Sequence, residues 1–111
     1  MNYRKHLSEP WFSLIKLGIK TVEGRLHKGD FSKMKISDTI TFYNDDFIPR
    51  EITVRVKDIK YYRTFREYLE KETLNAALPG FTNIEDGLSV YYKYFSKGEE
   101  ETYYVIALCF N

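Results

Sequence analysis

The densest group of reactive side chains in the sequence is Lys20-Thr21-Val22-Glu23-Gly24-Arg25. In an extended strand successive side chains alternate between two faces, so Val22, Gly24 and Leu26 share one side and Thr21, Glu23 and Arg25 the other. Glu23 and Arg25 are then neighbours. A carboxylate that grips one edge of a guanidinium pre-orients it and leaves the other N–H donors for a carbonyl or phosphate. Lys20 is out of phase with this pair, but it leaves a turn, where the two-residue period need not hold. It adds positive charge there and, if desolvated, would have a lowered pKa and could act as a base beside Glu23. The same spacing also serves a surface strand with an exposed ion pair. In a functional cleft a partly solvated Lys20 would contribute only about 0–1 kcal/mol to folding, so Lys20→Ala is expected to remove function with little loss of stability.

Other catalytic signatures are missing. There is no phosphate-binding glycine loop, no HExxH and no GxSxG. His6 and His27 are the only histidines, so a histidine-rich metal site is not on offer, and no cofactor is expected. Asp45-Asp46 reads as a turn, and Glu99-Glu100-Glu101 as a solvated run. Cys109 is the single cysteine, which excludes an intramolecular disulfide. Its apolar neighbours Leu108 and Phe110 make it a buried, inert thiol.

The net charge of +1 conceals an asymmetry: residues 1–36 hold eight Lys/Arg against three acids, and the remainder is acidic. A basic face opposite an acidic one is expected. The ten Tyr, eight Phe and one Trp are mostly core, but tyrosines also collect at seams and cleft rims, where the hydroxyl can reach a partner. With 111 residues, 43% hydrophobic and 30% charged, a single domain over 1–111 that folds around its own core is expected. No signal peptide opens the chain, and no apolar stretch approaches the roughly 20 residues that span a bilayer. An intracellular location, cytoplasmic or nuclear, and no membrane partner follow as expectations.

The elements that must position the cluster can be read from periodicity. Residues 3–7 form a short strand. A helix over 9–17 starts at Ser8-Glu9-Pro10, repeats Trp11, Leu14 and Ile15 on one stripe, and stops at Gly18. Residues 20–27 form a strand and 28–37 a loop. Clean alternation in 38–43 and again in 51–57 predicts a hairpin over 39–57 with a loop containing Pro49, its strands spanning 38–44 and 50–60. The period then changes: a helix over 64–72, a stop at Leu78-Pro79-Gly80, and a helix over 83–96 opened by a Thr82-x-x-Glu85 capping box. Residues 102–110, apolar on both faces, suit a central strand. The order β-α-β-β-β-α-α-β is no βαβ rotation. It predicts a mixed α+β fold, an antiparallel-dominated β-barrel with about three flanking helices.

The stretch His6-Leu7-x-Glu9-Pro10-Trp11-Phe12-x-x-Ile15-x-x-Gly18-x-Lys20-Thr21-x-Glu23-x-Arg25-Leu26 resembles the opening motif of the ASCH domain family (activating signal cointegrator homology). Ile36-x-Asp38-x-Ile40-x-Phe42 resembles the family's GD-x-I-x-F strand, with Ser37 where Gly is usual. The likeness continues through Leu78-Pro79-Gly80, the tyrosine-rich helix and the closing apolar strand. It implies a PUA-like barrel whose cleft binds RNA or a nucleotide, with Lys20, Thr21, Glu23, Arg25 and His6 as ligand-binding residues.

More distantly, the chain is similar to N4-acetylcytidine amidohydrolases, a bacterial branch of this fold that uses a Lys, a Thr and a Glu. That Lys matches Lys20. The Thr falls on Glu23 here, with Thr21 close by, and Glu70, Glu72 and Glu85 all stand open as the Glu.

Three functions compete on this reading. One is a module that binds RNA or a nucleoside through the Lys/Glu/Arg cleft, with aromatic side chains for stacking. Another is a small metal-independent hydrolase, acting on an N4-acetylcytidine-type amide or on RNA, with Lys20 and Glu23 as catalytic residues. The third is a protein-interaction module in transcription or translation control, contacting protein partners through the acidic helices.

Overall fold

The alternating runs Thr39-Ile40-Thr41-Phe42 and Glu51-Ile52-Thr53-Val54 do pair as a hairpin. In the computed structural model, which describes residues 1–110, β3 (Thr39–Asn44) and β4 (Arg50–Arg55) are antiparallel, with Ile40 opposite Val54 and Phe42 opposite Ile52. On the other side of β3 lies β1 (Asn2–His6), which runs parallel to it. The second sheet has the order β2-β6-β5, with β2 (Val22–Leu26) and β5 (Asp58–Tyr62) both antiparallel to β6 (Val105–Cys109).

The central strand β6 is apolar on both faces because both are covered. Ile106 and Leu108 pack with Ile40, Phe42 and Val56 of the first sheet's core. Val105 and Ala107 pack with Tyr68, Leu69 and Leu88 of the helical layer. Every strand pair except β1–β3 is antiparallel, so the mixed, antiparallel-dominated class stands.

The barrel does not appear in the expected form, because the strands divide into two three-stranded sheets. The run predicted as one strand over 50–60 breaks at Val56-Lys57, and its halves join different sheets. Val56, fully buried, donates its N–H to Asp38 O (2.9 Å), whereas the Lys57 N–H goes to Cys109 O (2.8 Å). The backbone thus changes ladder partners within one residue. At the opposite seam no ladder joins β1 to β2 among the described residues.

Among the described residues five α-helices replace the three expected. They are α1 (Trp11–Lys16), α2 (Phe65–Glu72), α3 (Leu74–Ala77), α4 (Ile84–Tyr92) and α5 (Lys97–Tyr103). Gly18 follows α1 at φ 76°, the left-handed conformation that suits glycine after a helix. The cap of α4 is Asn83, whose side-chain oxygen accepts the Asp86 N–H at 2.9 Å, and not Thr82. The helix expected to reach residue 96 ends at Tyr92, and residues 97–103, the last two of them expected to begin the final strand, build α5, opened by a reciprocal capping box between Ser96 and Glu99. The acidic run is therefore not simply solvated. Glu100 is buried, and it accepts the Phe65 N–H at the start of α2 (2.8 Å) and the Tyr92 hydroxyl (2.8 Å).

Candidate functional site

Lys20 leaves the turn after α1 with its N–H bonded to Leu14 O (3.0 Å). Released there from strand phase, its side chain turns inward and is almost completely enclosed, at 2% exposure. An ammonium has three N–H donors and no acceptor. Here its partners are Val22 O at 2.7 Å, the carbonyl of Ala77 at the end of α3, and Glu23 Oε1 at 3.2 Å. Each donor has a partner within the protein, so the expectation of a partly solvated Lys20 is overturned.

Glu23, 5% exposed, completes the group by using both oxygens. Oε1 faces Lys20, and Oε2 accepts from Arg25 Nε at 2.8 Å. Strand alternation had predicted the Glu23–Arg25 contact. Arg25 is only partly buried; its guanidinium lies 5.1 Å from the Phe31 ring centroid, and Nη2 reaches His6 O at 3.4 Å. That contact is a side chain's link across the open β1/β2 seam.

Two cations on one carboxylate set the electrostatics. Burial pulls the Lys20 pKa below its ordinary value, and the Glu23 charge opposes that pull. At Glu23 burial pushes the pKa upward, but the charges of Lys20 and Arg25 outweigh it and hold the carboxyl below its ordinary value. A carboxyl depressed in the folded state stabilises the fold above its unfolded value of about 4.3 and loses that contribution as pH falls through its own lower value. Between pH 5 and 3 the stability of the wild-type protein should therefore fall more steeply than that of Glu23→Gln. Urea unfolding at a series of pH values measures this, and equal slopes would remove Glu23 as the cause.

The triad forms one side of a cavity of about 460 Å³. Much of the remaining wall is aromatic, with Trp11 from α1, Tyr91 from α4, and Tyr94 and Phe95 just beyond it, and Leu7, Leu78 and Val90 add aliphatic surface. Lys20 Nζ lies 5.8 Å from the Trp11 ring centroid. His6 also lines this space, and Lys20, Glu23, Arg25 and His6 are thus brought together. Thr21 is outside the lining; its backbone is tied to Ala76 O and to the Phe110 N–H. Nor does any helical glutamate line it. Glu72 pairs with Lys60 (3.4 Å) and Tyr62, Glu85 pairs with Arg66, and Glu70 is exposed. Among the described residues no three His, Cys, Asp or Glu side chains gather as metal ligands. Among the described residues no helix is long and apolar enough to cross a membrane.

The sequence reading missed the second layer behind β2. Tyr68 is fully buried, and a Cβ built on Gly24 would lie 2.6 Å from its ring. A glycine inside a strand is the signal for such a close approach. The hydroxyls of Tyr68 and Tyr91 are buried without a hydrogen-bond partner among the described residues.

Comparison with known proteins gives a consistent assignment. The family model for the ASCH domain matches residues 6–111. The crystal structure of hypothetical protein PH0355 is similar over 100% of this chain and 98% of that one, at 35% identity and a TM-score of 0.90. The solution NMR structure of protein PF0455 from Pyrococcus furiosus is similar over 100% and 96%, at 38% identity and a TM-score of 0.80. No curated protein matches the chain significantly. On the strength of the family match and of two relatives alike over nearly their whole length, the chain belongs to the ASCH domain family.

Proposed function

We propose that the cavity binds one nucleotide of a single-stranded RNA, with the base against the aromatic walls and Arg25 as its polar contact. The observation that carries this reading is the Lys20–Glu23–Arg25 triad, buried except at Arg25, beside Trp11, Tyr91, Tyr94 and Phe95. Glu23 holds Nε of Arg25 and leaves donors on the guanidinium for a base carbonyl or phosphate. Aromatic faces stack on any base. The ASCH family is generally linked to RNA binding, which agrees with this chemistry. Lys20 acts through Glu23: it supplies the second positive charge that keeps the carboxylate ionised, and its own donors are occupied.

Short RNAs and cytidine derivatives, titrated at two salt concentrations without metal, test the proposal. Affinity should fall with the logarithm of salt concentration. Arg25→Lys should bind about tenfold more weakly, the loss of one charge-assisted hydrogen bond, because an ammonium lacks the planar fork. Absence of binding at low salt would defeat the RNA reading.

One observation supports a second reading, a metal-independent hydrolase: a buried lysine with a lowered pKa lies directly beside a carboxylate. It requires Lys20 to give up a hydrogen bond and a proton before it can act as a base. Turnover of an acylated cytidine by the wild type, lost in a Lys20→Met variant that circular dichroism shows to be folded, would favour it over binding alone.

A further inference from the structure

A second hollow, of about 430 Å³, lies at the other end of β2 and is lined by His27, Tyr61, Tyr62, Arg63, Glu67 and Tyr104. Its aromatic residues are unusually open to solvent, with Tyr61 60% and Tyr104 52% exposed. His27 and Tyr61 meet edge to face at 5.2 Å between ring centroids, which fixes their relative orientation. Tyr62 is held from behind, its hydroxyl bonded to Glu72. Arg63 is exposed and has no ion-pair partner among the described residues.

The backbone of Tyr104 is the least expected feature. It sits at φ 63°, ψ −174°, a region that side-chain-bearing residues rarely adopt. Two hydrogen bonds hold it there: its N–H donates to Glu100 O (2.9 Å), and its carbonyl accepts from the His27 N–H (3.0 Å). Glycine would fit this position without strain. A tyrosine kept there, with its ring half in water, gains little from burial, so the stability of the fold does not explain it.

We infer that this hollow is a second nucleobase site, taking the nucleotide that adjoins the one in the first cavity on the same single strand of RNA. The inference rests on the RNA reading given above. Exposed rings on a rigid support offer stacking faces. The Arg63 guanidinium suits a phosphate or a base carbonyl, and the Glu67 carboxylate an exocyclic amino group. A bare phosphate would call for more cations, and an aliphatic ligand for none of these groups.

Continuity along β2 argues for a single strand. Arg25, within β2, lines the first cavity, and His27, one residue beyond the end of β2, lines the second. Two residues apart, they are separated by at most roughly 7 Å of chain, within reach of neighbouring nucleotides.

The test compares cytidine 5′-monophosphate with tetracytidylate by fluorescence or calorimetric titration of the whole protein. Wild type should bind the tetranucleotide more tightly. Tyr61→Ala and Tyr104→Gly should each weaken tetracytidylate about tenfold, the scale of one lost base stack, and leave the mononucleotide within about twofold. Tyr104→Gly should also raise the melting temperature by relieving the backbone, so its lost affinity cannot be attributed to unfolding. If both variants bind tetracytidylate like wild type, or if wild type binds the two ligands equally, the second site is overturned and the first cavity's reading survives. Binding of neither ligand by the wild type overturns both.

Discussion

Lys20→Met should destabilise the fold by roughly 3–5 kcal/mol, the usual cost of removing one partner from a buried ion pair. Methionine fills much of the same volume but provides no donor. It leaves Val22 O and Ala77 O without their bond and Glu23 with Arg25 as its only counter-charge. Urea denaturation at neutral pH measures the effect. The double variant Lys20→Met/Glu23→Leu should be less destabilised than the sum of the two single changes, because it removes the stranded carboxylate along with its partner. A shift below about 1 kcal/mol would mean that the ammonium is solvated, as surface pairs are.

Gly24→Ala should cost about 2–3 kcal/mol, toward the upper end for forcing an atom into a packed interior. The new Cβ would stand 2.6 Å from Cε2 and Cζ of Tyr68. That ring has little freedom to retreat, because Tyr91 and Phe65 pack edge-on against it at 5.8 and 6.5 Å. Relief must come from β2, which carries Glu23 on one side of the glycine and Arg25 on the other. Ligand affinity should therefore fall along with stability. Combined with Tyr68→Leu, the alanine should cost less than it does alone, as a thermal or urea melt of the four proteins in the cycle would show. Strict additivity would place the strain elsewhere.

These expectations mark where the sequence was legible and where it was not. Alternation predicted the Glu23–Arg25 contact, because both side chains belong to one strand and the rule is local. Burial of Lys20 was illegible for the opposite reason: it depends on Ala77 O, delivered by a helix far along the chain. The same contrast explains the strands. Alternation found β3 and β4, but its phase slips after Val56, where Asp58 stands in the next apolar place and Ile59 follows out of step. That slip was passed over, and the two-residue rule does not say that the Val56 and Lys57 N–H groups donate to carbonyls of different sheets, so a single strand and a closed barrel were expected. At Ser96-x-x-Glu99 the capping signature was present in the sequence, but it lay within a run of charge that reads more simply as solvated. What makes Glu100 structural is the backbone of Phe65, again remote.

The division into two sheets bears on the order in which the molecule assembles. The first sheet draws its strands from residues 2–55, so its ladders close over modest lengths of chain. β2 finds its partner only in β6, at the other end of the sequence. Loop-closure entropy makes such distant pairings slow relative to local ones. A half-formed molecule holding only the first sheet would present Glu23 and Lys20 to water, as an unburied and unremarkable ion pair. The ligand site would then be among the last features to mature, and its appearance would report that the whole chain has folded.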